Sequence, residues 1–219
     1  HVEDRIDEPT GVPIASLYGS GYAPDPEDLE DLDVMIYDIQ DVGSRSYTYI
    51  GSMAHAMMAC AKQDISFMVL DRPNPCGAHI VDGNVMDTDQ YTSLVGIYEI
   101  PYMYGMTVGE VGKMFNEEFN EQKVELTVVP MEGYERDMLW WDTGMPWVPT
   151  STHIPQAQHA AYYNLTGIIG EINSISIGVG YTLPFEVFAA PWIDAEDLTN
   201  AFRQLDLPGL SAFDPKRFI

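Results

Sequence analysis

Short apolar runs alternate with helix-forming stretches through residues 1–132 of this chain. Four runs have the length and composition of strands, and three stretches have the pattern of helices: strands at 12–18, 34–37, 65–70 and 124–129, helices at 24–32, 45–62 and 107–121. Strands joined through helices form right-handed crossovers and a mainly parallel sheet covered on both faces. The sequence therefore predicts an α/β fold with a Rossmann-like N-terminal domain.

The composition changes after residue 132. The stretch 140–149 is dense in Trp and Pro, which favours a rigid irregular connection over a helix or a central strand. Apolar and small residues alternate through 167–186, and an amphipathic helix follows, capped by Asp194. We predict an N-terminal domain over 1–132 and a smaller α+β domain over 133–219, and we expect the first to lack its start and the second its end.

The net charge restricts the partners. The 219 residues include 10 Lys+Arg and 34 Asp+Glu, which gives a formal charge of −24. A surface of that charge repels nucleic acid and anionic lipid, and no apolar run approaches the roughly 18 residues that a membrane span needs. We expect neither a nucleic-acid partner nor a membrane span, while the oligomeric state is not predicted. Because basic residues are scarce, an arginine within a motif loop is informative.

Motifs that bind metals or cofactors have characteristic spacings of their ligand residues. The histidines and the two cysteines lack the spacing of metal ligands, and no glycine-rich phosphate loop follows a predicted strand. The sequence predicts no metal site and no cofactor.

Ligands of open α/β sheets collect outside the carboxyl ends of the strands. Three loops should lie there: D-I-Q-D-V-G-S-R at 38–45, D-R-P-N-P-C-G at 71–77 and P-M-E-G-Y-E-R-D at 130–137. We expect the chemistry of the chain in these loops.

The first of these loops begins a dense polar cluster. Either of its aspartates could simply cap the following helix, but a cap needs one acceptor only. Paired carboxylates also serve glycoside hydrolysis and metal binding. The candidate residues here are Asp38, Gln40, Asp41, Arg45, Tyr47 and Tyr49.

The second loop contributes Asp71, Arg72 and Asn74, and its two prolines should fix the backbone in advance of binding. The alternative interpretation is that the side chains of Asp71 and Arg72 form a salt bridge with each other. By contrast, Glu110 stands three residues after Thr107, the spacing of a capping box, and we assign it to the start of a helix.

Candidates in the second domain are fewer. Glu171 stands among apolar residues and glycines, so we expect it to be buried with a raised pKa, as a general acid requires. Glu186 is the competing carboxylate. His153, in the proline-rich connection, is expected to line a cleft between the domains.

Five stretches, in order along nearly the whole chain, resemble one family, the exo-acting β-N-acetylmuramidases of the NamZ type. They are T-G-V-P-I-A-S-L-Y-G, Y-D-I-Q-D-V-G-S-R-S-Y-T-Y-I, V-L-D-R-P-N-P, Y-G-M-T-V-G-E and G-V-G-Y-T-L-P-F-E-V-F-A-A-P-W. The chain departs from that family where many members read Glu-Gly-Thr-Asn and this one has Glu-Ile-Asn-Ser at 171–174, and where members have Ser-Pro-Asn and this one has Ser-Thr-His at 151–153. A Gly-Pro-Glu-His-Gly-type motif is expected upstream of His1.

The resemblance implies a glycoside hydrolase that releases terminal non-reducing N-acetylmuramic acid (MurNAc) from peptidoglycan fragments in cell-wall turnover. It assigns catalysis to Glu171 and Asp41, and substrate binding to Asp38, Gln40, Arg45, Tyr47, Tyr49, Asp71, Arg72 and Asn74. His153 is a further substrate-binding candidate. It further implies that Arg45 or Arg72 receives the lactyl carboxylate, because an anionic sugar approaching an acidic chain needs a local cation. The expected location is the cell envelope, periplasmic or secreted.

Two alternatives from other classes stay open. One is a non-catalytic sugar-binding protein on the same scaffold, which would bind MurNAc disaccharides without cleaving them. The other is a metal-dependent phosphohydrolase built on Asp38, Asp41 and Asp71.

Overall fold

A computed structural model describes residues 3–17 and 21–208 of the chain. Its centre is a three-stranded parallel sheet of β3 (Val34–Tyr37), β4 (Ser66–Leu70) and β7 (Leu126–Val129), in that order. Val34 pairs with Ser66, and Phe67 pairs with Leu126. The predicted parallel α/β sheet is confirmed, with β3 at its predicted bounds.

Two helical segments cover one face of this sheet. On the other face Val34 and Ile36 of β3 are 38% and 55% exposed, so the predicted cover on both faces is not seen within the described residues. Helix α1 (Tyr49–Gln63) ends at Asp64, whose left-handed conformation closes the last turn on Cys60. Helix α2 (Val108–Met114) continues as a π-helical turn over Phe115–Phe119. Thr107 and Glu110 form the predicted capping box at the start of α2.

The core lies between the sheet and these helices. Phe67 and Val69 of the central strand are almost wholly buried, as are Met53 and Met57 of α1 and Val111 of α2. These side chains belong to one apolar cluster, which fixes the helices on the sheet and so fixes the strand ends where the loops begin.

Short antiparallel pairs flank the sheet. Strands β1 (Arg5–Ile6) and β2 (Pro13–Ile14) form one, and β5 (Val81–Asp82) and β6 (Met103–Tyr104) form the other. The strand predicted over 12–18 is therefore shorter and antiparallel, and its Tyr18 lies outside the described residues. The helix predicted over 24–32 is a 3₁₀ turn at Pro26–Leu29.

The chain divides into two compact units, the first ending at Asn164 and the second beginning at Leu165. The first unit therefore includes residues 133–164. The change in composition after residue 132 predicts the second domain for this stretch. The Trp140 N–H donates to the Pro75 carbonyl at 3.3 Å and the Tyr49 hydroxyl to the Thr150 carbonyl at 2.6 Å, which ties this stretch to the sheet-edge loops.

Helix α3 (Gln158–Gly170) runs across this division, and the described part of the second unit continues through turns to α4 (Ala195–Leu205). Asp194 caps α4 as predicted, since its Oδ1 accepts the N–H groups of Glu196 and Asp197 at 3.0 Å. Across residues 3–17 and 21–208, no helix has both the length and the apolar character needed to cross a membrane.

Candidate active site

An ion pair joins the first two predicted loops at the carboxyl ends of β3 and β4. Arg72 Nη2 lies 2.6 Å from Asp38 Oδ1, and Arg72 Nε donates to the same oxygen at 2.8 Å. Both side chains are partly exposed, at 37% for Arg72 and 48% for Asp38. Neighbouring parallel strands thus bring the two loops together, as the sequence predicts.

A cavity of about 430 Å³ opens beside this pair. Its walls come from the loops after β3, β4 and β7 and from the segment that follows: Asp38, Asp71–Pro73, Met131–Tyr134, Met138, Asp142, Thr143 and Met145. All three predicted loops therefore contribute to one cavity. Among these lining residues, Arg72 is the only cation.

Asp41, within the first loop, is buried and only 2% exposed. Its Oδ2 accepts the Tyr104 hydroxyl and, at 2.8 Å, the Gly43 N–H. Burial raises the pKa of this carboxyl to about 6, although these hydrogen bonds favour the charged form. Asp41 thus has the pKa of a proton donor near neutrality but, in this position, no open path to a ligand.

The same region locks the two loops to each other. The Gln40 amide donates to the carbonyls of Asp41 and Pro73, each at 2.8 Å. Asn74, 5% exposed, donates to the Met106 carbonyl at 3.0 Å. Gly43 has φ +80° and packs so closely that a Cβ there would lie 2.3 Å from Asn74 Oδ1. Gln40 and Asn74 therefore hold loop backbone in place.

Asp71 anchors the start of α2. Its Oδ1 accepts the N–H groups of Gly109 at 2.8 Å and Arg72 at 3.0 Å, and its Oδ2 accepts the Thr107 hydroxyl at 2.9 Å. The alternative of an Asp71–Arg72 side-chain pair is not what the structure shows, because Arg72 pairs with Asp38 instead.

Arg45 is engaged elsewhere. Its Nη1 donates to the Val95 carbonyl at 3.0 Å and contacts Met86 Sδ at 3.1 Å, while its guanidinium carbon lies 6.0 Å from the centre of the Tyr102 ring. Partial burial lowers the pKa of this guanidinium. Arg45 therefore fastens the segment around Val95 and does not line the cavity beside Arg72.

The tyrosines of the first loop form an aromatic group. The Tyr47 ring packs edge-on against Tyr49 at 4.6 Å and against Tyr163 at 5.6 Å, measured between ring centres. Burial raises the pKa of the Tyr47 hydroxyl. This group connects the residues that follow the first loop to α3 through Tyr163, and the Tyr49 hydroxyl also donates to the Thr150 carbonyl.

The expectation that Glu171 is buried is wrong. The residue is exposed and directly follows Gly170, the last residue of α3, with its N–H bonded to the Ile168 carbonyl at 3.2 Å. The alternation at 167–186 belongs to a helix end and a series of turns, so it does not place alternate residues in a core. His153 is also exposed, in a turn of the first unit.

In the described parts of the chain, no group of three or more His, Cys, Asp or Glu side chains is arranged to hold a metal ion. The three aspartates proposed for a metal-dependent phosphohydrolase bind separate partners. Asp38 pairs with Arg72, Asp41 accepts the Tyr104 hydroxyl, and Asp71 accepts the Thr107 hydroxyl.

Sequence reasoning missed several residues that shape this region. Tyr104, the partner of Asp41, stands in Y-G-M-T-V-G-E, a stretch noted only as part of a family pattern. Met138, Asp142 and Met145 line the cavity although their segment was interpreted as a connection. Their role depends on the chain folding back over the sheet edge, which no local pattern indicates.

The fold and the cavity define an α/β protein with a polar crevice at the carboxyl edge of its parallel sheet, the place where open α/β sheets bind their ligands. Comparison with known proteins narrows this class. The model of the N-terminal domain of exo-β-N-acetylmuramidase NamZ matches residues 1–158, and the model of its C-terminal domain matches residues 161–219. The chain belongs to the NamZ family.

Similar proteins agree with this assignment. The peptidoglycan β-N-acetylmuramidase NamZ of Bacillus subtilis is 46% identical over 210 residues, which is 96% of this chain and 50% of that protein. Two crystal structures of DUF1343 family proteins from Bacteroides fragilis are similar, one at 48% identity and TM-score 0.89, the other at 38% and 0.75. The first match covers 93% of this chain and 53% of the crystal structure, and the second covers 85% and 50%. This chain therefore spans about half the length of the relatives it matches.

Proposed function

We propose that the full-length protein is an exo-acting glycoside hydrolase that releases terminal non-reducing β-N-acetylmuramic acid from peptidoglycan fragments. Two observations support this: both parts of the chain match the NamZ family, and a relative at 46% identity is a peptidoglycan β-N-acetylmuramidase. Within the chain, the observation that carries the proposal is the cavity with a single arginine at the sheet edge.

Arg72 is the cation that we propose for the lactyl carboxylate of muramic acid. Its Nε and Nη2 are bound to Asp38, and no described contact occupies Nη1. The other aspartates that line the cavity already accept hydrogen bonds, Asp71 from Gly109 and Asp142 from the Leu139 N–H at 2.9 Å. These hydrogen bonds do not neutralise the carboxylates, so Arg72, the only cation among the lining residues, has to offset locally the repulsion that an anionic sugar would meet.

The two candidate carboxylates receive different roles in this proposal. Glu171 is exposed and so can meet a substrate, and we propose it as a catalytic acid or base. Asp41 is buried and engaged by Tyr104 and Gly43, so we propose that it positions the loops around the cavity instead of touching the sugar.

The experiment is incubation of the full-length protein with a MurNAc–N-acetylglucosamine (GlcNAc) disaccharide, with release of free MurNAc measured by mass spectrometry. We expect release by the wild type, a loss of kcat of at least 100-fold in Glu171→Gln and activity within about threefold in Glu186→Gln. Glu186 is the matched control because it is also an exposed glutamate of the second unit. Full activity of Glu171→Gln contradicts the catalytic role of Glu171.

A sugar-binding protein without hydrolysis is the second candidate. The burial of Asp41 favours it, because one of the two expected catalytic carboxylates does not reach the cavity surface. Tight binding of the disaccharide by the wild type without any release of MurNAc would establish this candidate and overturn the first.

A substrate derived from the cell wall implies a location in the cell envelope, which we propose for the full-length protein. Detection of the native protein in the periplasmic or extracellular fraction, together with a marker of that fraction, tests this. Recovery with a cytoplasmic marker alone contradicts it.

A further inference from the structure

Trp141 is an exposed tryptophan beside a buried one. Its side chain is 60% exposed, whereas Trp140 is 7% exposed and packs edge-on against Trp147 with ring centres 4.8 Å apart. Both belong to the 3₁₀ helix Trp140–Thr143, in which successive side chains point in directions about 120° apart. Trp140 therefore anchors the turn in the first unit and directs Trp141 to solvent.

The turn that carries Trp141 is fixed on several sides. The Thr143 hydroxyl donates to the Trp140 carbonyl at 2.6 Å, and the Leu139 N–H donates to Asp142 Oδ2 at 2.9 Å. Gly144 ends the turn in the left-handed conformation. A ligand that packs on Trp141 would thus meet a backbone that is already ordered, so little conformational entropy would be lost on binding.

The neighbours of Trp141 along the chain line the sheet-edge cavity. Met138 precedes it, and Asp142, Thr143 and Met145 follow it. Trp141 itself is not among the lining residues, so its exposed ring stands beside this wall of the cavity. Met131, Met138 and Met145 make this wall partly apolar, and the Asp38–Arg72 pair belongs to the loops after β3 and β4. The lining of the cavity therefore includes both apolar and charged side chains.

A pyranose ring has the matching chemistry. Its equatorial substituents leave C–H groups on a ring face, and these pack on the electron-rich face of an aromatic ring, while its hydroxyl and acyl groups need polar partners. Tryptophan offers the largest such face and loses little side-chain entropy on contact, since it has two rotatable bonds.

We propose that Trp141 is a stacking platform for the neutral sugar ring joined to the anionic one, at the rim of the sheet-edge cavity. The inference rests on the proposed function, because it takes as ligand the MurNAc–GlcNAc disaccharide whose carboxylate Arg72 binds. It adds a binding position for the leaving sugar, so Trp141 contributes to the choice of a sugar over other leaving groups.

The test compares Trp141→Ala, Trp141→Phe and Trp192→Ala in the full-length protein. Trp192 is the matched control, because it is also an exposed tryptophan, at 67%, but belongs to the second unit, and none of its neighbours along the chain lines this cavity. Exposed positions of this kind tolerate substitution with little change in stability, and equal thermal unfolding of the variants confirms it.

With the disaccharide, Trp141→Ala should raise KM and the dissociation constant on the order of tenfold with kcat within about threefold. Trp141→Phe should restore part of the affinity, and Trp192→Ala should match the wild type. The same titration should quench tryptophan fluorescence in the wild type and lose that signal in Trp141→Ala. A KM within twofold of the wild type in a folded Trp141→Ala overturns the inference.

Failure of the proposed function gives a different pattern. If the wild type binds the disaccharide without cleaving it, and Trp141→Ala alone loses binding, the platform stands and the hydrolase proposal falls. If the wild type neither binds nor cleaves the disaccharide, both proposals are overturned.

Discussion

Asp41 shows how a single residue can keep its place in a motif and still differ from the role that the motif suggests. As a carboxylate in the loop after a strand it was expected to face a ligand, but it lies in the interior, with Tyr104 and Gly43 as partners. The expectation could not include Tyr104, because that tyrosine reaches Asp41 only through pairing of distant segments. Arg72, in contrast, stands where the loop pattern predicts it, at the cavity.

The first prediction concerns the pH dependence of stability. Because burial raises the pKa of Asp41 from 3.8 to about 6, its ionisation is harder in the folded state than in the unfolded one. The contribution of protonated Asp41 to the stability of the fold is therefore complete below the pKa of the unfolded state, and it is lost as the pH rises through about 6. Relative to Asp41→Asn, the wild type should lose roughly 2 kcal/mol of unfolding free energy between pH 4 and pH 7.

Urea denaturation of both proteins at pH 4, 5, 6 and 7 measures this difference. Subtracting the Asp41→Asn curve removes the contribution of the other carboxylates, which both proteins share. A difference that stays constant across the series, or that grows in favour of the wild type, contradicts a raised pKa at Asp41.

At the scale of elements, the sequence predicted the parts of the fold that local patterns determine. The strand Val34–Tyr37, the capping box at Thr107 and the cap at Asp194 all occur where expected. The start of α1 was placed at Arg45, but the helix begins at Tyr49. The Arg45 N–H donates to the Tyr102 carbonyl at 2.8 Å, so pairing with a distant segment holds the residues before Tyr49 out of the helix.

The close approach of the two sheet-edge loops yields the second prediction. Gly43 and Gly133 both have positive φ, at +80° and +71°, but only Gly43 lies against another side chain, that of Asn74. Alanine at Gly133 should cost about 1–2 kcal/mol for the left-handed backbone. Alanine at Gly43 should cost roughly 1–3 kcal/mol more, because its Cβ would overlap Asn74.

Chemical denaturation of Gly43→Ala and Gly133→Ala separates the two contributions, since both share the backbone cost. Equal destabilisation of the two variants contradicts the idea that the loops after β3 and β4 are tightly packed on each other.

The negative net charge dominates the electrostatics of the chain as a whole. The chain carries −24, and the ion pairs seen within the described residues are Arg72–Asp38, Lys123–Glu117 and Arg136–Glu110. All three involve exposed or partly exposed groups, which contribute little to stability. Repulsion among the remaining carboxylates therefore opposes the compact state.

The third prediction follows from that imbalance. Raising NaCl from 0.05 to 1 M shortens the screening length from well over 10 Å to about 3 Å, so repulsion between carboxylates should weaken. The midpoint of urea unfolding at pH 7 should rise with salt. A midpoint that falls over this range would show that the exposed ion pairs outweigh the repulsion.

We propose that Arg72 recognises the carboxylate of an anionic sugar at the sheet-edge cavity. The direct measurement is kcat/KM of the full-length protein for matched chromogenic β-MurNAc and β-GlcNAc glycosides, which differ in the lactyl group, for the wild type, Arg72→Met and Arg45→Met. We predict that the wild type prefers MurNAc, that Arg72→Met loses this preference by 10-fold or more, and that Arg45→Met keeps the preference even where its activity falls. A wild type that prefers GlcNAc, or an Arg72→Met variant with the full preference for MurNAc, would contradict the claim.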